Sequence, residues 1–190
     1  MRAVPAVLLL FVMGASARAA QPFSLSSPDL PPGKPIPVRF SANTFGCSNP
    51  NESPTLEWRN VPEGTKSFAV TLFDPFRPPA SGWWHWMVYD IPANATGLPH
   101  NAGNPENPGM PAGAKQVKPD GEAPEAHYYG PCPDEGDPPH HYTFTVYALS
   151  VDHLNVPATS TPANIDYEIF TKTLAKATMV RLFSRPKKGT

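Results

Sequence analysis

The sequence predicts a mainly β protein built of antiparallel sheets, a sandwich or a barrel, and three observations predict it. Short extended segments rich in β-branched and aromatic residues recur along the chain, each bounded by Pro, Gly, Asn or Asp. Proline is abundant, 27 of 190 residues, while charged residues make up only 16%. Proline is excluded from helix interiors and favoured in turns, so this composition disfavours a helical fold. One stretch alone, near the C-terminus, spaces its apolar residues as a helix does.

The elements follow in order. Arg2, the apolar run Ala6 to Met13 and the small-residue exit Ala17-Arg18-Ala19 have the form of an export signal. Cleavage after Ala19 is expected, leaving 20–190 as a single secreted or periplasmic domain. The apolar run is far shorter than the ~20 residues a membrane-spanning helix needs. Expected strands are Pro35 to Phe40, Thr55 to Val61, Ser67 to Phe73, Trp84 to Ile91 and His141 to Val151. Side chains alternate across a strand, which would put His85, Met87 and Tyr89 on one face and Trp84, Trp86 and Val88 on the other. A helix is expected from Thr161 as cap and Pro162 at the first position, with Ile165, Ile169, Phe170, Leu174 and Ala177 at helical spacing. Met179 to Phe183 is either a last strand or the continuation of that helix. Pro99 to Pro139 has no apolar period, and a connection that long in a compact domain is functional or disordered. Its end, Tyr128 to Pro133, carries two tyrosines and a cysteine, which argues for order.

A formal net charge of −1 with no basic run provides no field for nucleic acid or an anionic membrane. Cys47 and Cys132 are the two cysteines. In an oxidising compartment an even pair reads as a disulfide; two free thiols remain the alternative, and Cys132 near His140 would then be a nucleophile candidate. His100, His127 and His153 show no metal-ligand spacing, and no cofactor or metal is implied.

Four motifs sit at expected strand ends: Phe73 to Pro79, Gly82 to Trp86, Tyr128 to Pro133, and His140 to Phe144. Strand ends that converge are where β scaffolds place binding sites. His140 and His141 must point to opposite faces, and His140 shares its face with Tyr142. With "FGC" (Phe45 to Cys47), "SPTLEW" (Ser53 to Trp58), "SGWWHWMVYDIP" (Ser81 to Pro92), "GPCP" (Gly130 to Pro133) and "HHYTFTVYAL" (His140 to Leu149), the chain resembles the phosphatidylethanolamine-binding protein family, in its bacterial Raf-kinase-inhibitor-like branch. The resemblance implies an antiparallel β-sandwich with small peripheral helices and a shallow pocket for phosphate-like anions. Its implied ligand-binding positions are Asp74, Pro78, Trp83, His85, Gly130, Pro131, His140 and Tyr142. Two imidazoles would supply N–H donors, the Gly-Pro turn would expose backbone, and Asp74 would fix a histidine tautomer.

One departure stands out. The family pattern reads Asp-Pro-Asp after the strand, whereas here the third residue is Phe76, which removes an acceptor and adds an apolar wall. The expected function is non-enzymatic binding of a small anion or phosphorylated head group, since no Gly-x-Ser-x-Gly elbow is present. The alternative is an interaction protein that inhibits a secreted or periplasmic hydrolase, or engages another protein partner, by contact.

Overall fold

The structure, a computed structural model, describes residues 21–76, 82–107, 109–119, 123–157 and 159–187. The expected leader and Pro78 lie outside these residues. The described chain forms β1 (Ser24–Ser26), β2 (Leu56–Arg59), β3 (Ser67–Asp74), β4 (Trp83–Pro92), β5 (Gly97–Leu98), β6 (Lys115–Gln116), β7 (His140–Leu149), α1 (Pro162–Lys172) and β8 (Thr173–Phe183). These strands make two antiparallel sheets, a small one in the order β1-β2-β5 and a larger one in the order β6-β4-β3-β7-β8. Among the described residues the fold is mainly β with one α-helix.

The main core lies between the sheets. Leu56, Trp58 and Leu98 of the small sheet meet Phe68, Val70, Leu72, Trp86, Val88, Phe144 and Val146 of the large one, all buried. At about 25 cal/mol per Å² of apolar surface removed from water, this layer is the main stabilising contact. The far face of the large sheet carries Ala69, Met87, Tyr89 and Leu149, covered by Ile165 and Ile169 of α1.

Three local expectations are corrected. Pro35 to Phe40 forms no strand, and only a 3-10 turn appears at Val38–Phe40. Pro35 and Pro37 have no N–H to offer a ladder, so alternate residues cannot pair. The helix does not continue to Leu174 and Ala177: its C-cap is Thr173, where β8 begins. Residues from Thr173 onward pair antiparallel with β7 along its whole length, from Leu149 back to His140. A ladder of that length outweighs the helical preference that the alanines, leucines, lysine, methionine and arginine of this stretch carry.

The third correction moves His85. β4 pairs Trp86 with Leu72 and Trp84 with Phe73, so His85 is an extra residue at a β-bulge. The alternation therefore breaks there. Trp84 joins Met87 and Tyr89 on the helix side, while His85 turns toward Tyr142, ring centroids 5.2 Å apart, on the inter-sheet side.

Among its described residues, the long connection from Pro99 to Pro139 has little regular structure but is tied down by hydrogen bonds. The Ser53 hydroxyl accepts from Gly103 N–H at 2.8 Å, the Tyr128 hydroxyl donates to the Phe40 carbonyl at 2.8 Å, and Asn51 Nδ2 donates to the Tyr128 carbonyl at 2.8 Å. Cys47 and Cys132 form a disulfide, with Cα atoms 6.1 Å apart and a sequence separation of 85. In the chain-entropy model a loop of that size is worth roughly 4–5 kcal/mol at most.

Candidate functional site

The site begins with how β3 ends and β4 starts. Asp74, the last residue of β3, is buried and uses both carboxylate oxygens. Oδ1 accepts from Phe76 N–H at 2.9 Å, an Asx turn of the kind Asp-Pro favours. Oδ2 accepts from His140 Nδ1 at 2.7 Å. The turn-starting and histidine-holding roles of Asp74 are thus both filled. Gly82 has φ +72°, and a side chain there would collide with the Phe73 ring and the Asp74 carbonyl. Only glycine lets β4 start this close to Asp74.

β7 brings the second half. His140 and Tyr142 share one face, their rings stacked at 6.3 Å, and His141 points outward. Tyr142 therefore lies between the two imidazoles, 5.2 Å from His85 and 6.3 Å from His140. His85 is held as firmly as His140. Its Nδ1 lies 3.0 Å from the Tyr129 carbonyl, while its own carbonyl accepts from Tyr129 N–H at 2.9 Å. Trp83 packs edge-on to the His85 ring at 4.5 Å and is itself backed by Phe45 at 5.8 Å.

Gly130 and Pro131 stand just behind this wall. Both are buried, and the Gly130 N–H donates to Asn51 Oδ1 at 2.8 Å. A side chain at Gly130 would strike the backbone of Phe40 and Ser41. The turn is thus needed for close backbone packing, and its N–H is engaged within the protein where exposed backbone was expected.

Among the implied positions, then, Asp74, Trp83, His85, His140 and Tyr142 come together around one corner of the large sheet, and Gly130-Pro131 supports it from behind. Three contributors were not among the implied ligand-binding positions. Tyr129 orients His85 through its backbone, Asn51 anchors the Gly130 turn, and Asp137 places Oδ2 3.4 Å from His140 Nε2. Only Asp137 left a sequence signal, its position three residues before His140. Burial pushes the Tyr129 hydroxyl above its usual range, partly offset by its contact with the Glu125 backbone, so the ring stays neutral.

The family model described as phosphatidylethanolamine-binding protein matches residues 26–184. The chain belongs to this family, in the bacterial branch of YbcL and YbhB. It is 39% identical to the UPF0098 protein YbcL of Escherichia coli K12, over 95% of this chain and 96% of that one. The UPF0098 protein YbhB of the same organism is 38% identical, over 84% and 99%. The crystal structure of E. coli YbcL, described as a new member of the mammalian PEBP family, superposes with a TM-score of 0.80 at 40% identity, covering 85% of this chain and 98% of that one. A protein of Mycobacterium tuberculosis named "Putative lipoprotein LppC" is 36% identical over 71% of this chain and 59% of that one.

Proposed function

We propose that this protein captures a phosphate-like anion or a phosphorylated head group at the His85-His140 corner, without chemical turnover. The observation that carries this reading is that both imidazoles are held through Nδ1 by acceptors. A carbonyl and a carboxylate can only accept, so in each ring Nδ1 is the donor and carries the proton. Nε2 of either ring then bears a proton only in the imidazolium form. A ring oriented this way donates a charge-assisted hydrogen bond to an anion when it takes up a second proton. The aromatic surround of Trp83 and Tyr142 lowers the local dielectric and strengthens that bond.

Binding is favoured over group transfer because the cysteine nucleophile considered from the sequence is consumed and the carboxylate at the corner is engaged. Both cysteines are in the disulfide, and Asp74 is engaged at both oxygens. The disulfide, together with a relative named as a lipoprotein, supports action outside the cytoplasm.

Titration with inorganic phosphate, followed by histidine NMR and by calorimetry in two buffers of different ionisation enthalpy, tests the proposal. The His85 and His140 resonances should shift while His141 and His153 stay still, with net proton uptake on binding. Binding without proton uptake, or shifts confined to other histidines, would refute it.

A further inference from the structure

Phe76 is the starting point. It is 59% exposed, yet its backbone is pinned by Asp74, and its ring lies 6.1 Å from His140 and 5.3 Å from His141. A large aromatic held in solvent against an imidazole of the anion corner forms one wall of that corner. The apolar surface does not stop there. Leu182 is directly opposite His141 in the β7-β8 register and is 41% exposed. Val180, two residues back on the same face of β8, is 47% exposed. The helix α1 packs on Ala69, Met87, Tyr89 and Leu149, toward the other end of this sheet face.

Leu182 and Val180 also line a groove of about 380 Å³ between the edge of β8 and the loop at Gly33 to Pro35. Pro35, Pro139 and Phe183 add to its apolar lining, and Lys34 and Arg181 add cations. Pro139 immediately precedes His140. Neighbouring side chains thus lead from the anion corner over Phe76 to the His141 ring, from His141 to Leu182 opposite it, and from Leu182 into the groove.

We propose that the ligand of this site is a phosphate monoester bearing an apolar group, with the phosphate at the His85-His140 corner and the apolar group on the Phe76-Leu182 ledge and in the groove. The inference rests on the anion-binding reading above. On this ledge an ammonium would lie against phenyl and leucine side chains; the partly exposed carboxylate at hand is Asp137, on the His140 side of the corner. An aryl or alkyl group there gains hydrophobic burial instead.

Phenyl phosphate, inorganic phosphate and phosphoethanolamine serve as probes, titrated calorimetrically into the folded protein and into Leu182→Ser, Val180→Ser, Phe76→Ser and His140→Ala variants. The expected result is phenyl phosphate binding about tenfold more tightly than inorganic phosphate or phosphoethanolamine. Leu182→Ser and Val180→Ser should each erode that preference while leaving inorganic phosphate affinity within about twofold, and Phe76→Ser should remove most of it. His140→Ala should weaken all three probes.

Equal affinities for phenyl and inorganic phosphate in the unmodified protein would overturn the ledge and leave the anion corner standing. Failure of every anion to bind would overturn both. A Leu182→Ser variant that turns a dimer into a monomer in sedimentation, with the phenyl preference intact, would assign the ledge to self-association and overturn the proposal.

Discussion

Each imidazole at the corner has one nitrogen committed by the fold, and single substitutions read out what the other nitrogen does. A charge-assisted hydrogen bond is worth about 1.5–3 kcal/mol, so His85→Ala and His140→Ala should each weaken phosphate binding by about tenfold or more. His141→Ala, on the outward face, should change it little. The opposite sign is expected at Asp137, whose carboxylate lies 3.4 Å from His140 Nε2 and is 43% exposed. An anion must displace or coexist with that charge. Solvent screening limits the effect, so Asp137→Ala should raise phosphate affinity by about two- to fivefold, and less at high salt. Calorimetric titration of the variants at two ionic strengths checks both signs, and unchanged affinity in His140→Ala would remove His140 from the site. Of these residues, His85, His140 and Asp74 were legible as residue types at strand ends. Asn51 and the backbone of Tyr129 were not, because a backbone carbonyl leaves no mark on composition and an asparagine in a turn looks like any other.

At the scale of elements, the wall behind the corner depends on two loops that are locked together from outside the sheet. Phe45 has a left-handed backbone at φ 56° and packs on Trp83 and Tyr129 at 5.8 and 5.9 Å, two residues from Cys47. Cys132 lies two residues after Gly130 on the other loop. Reduction should therefore lower the melting temperature and also loosen the Trp83 wall. Phosphate affinity measured with and without reductant, below the reduced protein's melting point, tests this. An unchanged affinity and unchanged tryptophan emission would show that the wall stands without the bond. Gly130→Ala is expected to be severely destabilising, by about 2 kcal/mol or more, because the added carbon meets backbone that cannot rotate away. Urea denaturation measures it, and a loss under ~0.5 kcal/mol would mean the Phe40-Ser41 turn moves freely.

Across the whole molecule, the segment before β2 is clasped to the long connection by Asp29. Its carboxylate accepts from Thr55 N–H at 2.8 Å and from Arg39 at 2.9 Å, and lies 3.5 Å from His100, which reaches Glu52 at 3.3 Å on its other side. Partial burial works to raise the Asp29 carboxyl, but the Thr55 N–H and then His100 outweigh it and hold it below its usual range. A carboxylate depressed in the folded state contributes stability that is full above about pH 4 and is lost as pH falls through the folded value. Asp29→Asn should accordingly flatten the acid limb of the stability curve, measured as denaturation midpoint against pH. Parallel curves would exclude Asp29 as a source of acid sensitivity. The sequence by itself determined the β class, four of the eight strands among the described residues and the helix start, because period, turn residues and a capping threonine act within a few residues of where they are read. Three outcomes were decided only by the tertiary structure: β8 replacing the end of the helix, the bulge that turns His85 inward, and the burial of the Gly130 turn. Each depends on a partner distant in the chain, β7 for the new strand, Leu72-Phe73 of β3 for the bulge, and Asn51 for the turn, and local preference is too weak to oppose a long ladder or a buried hydrogen bond.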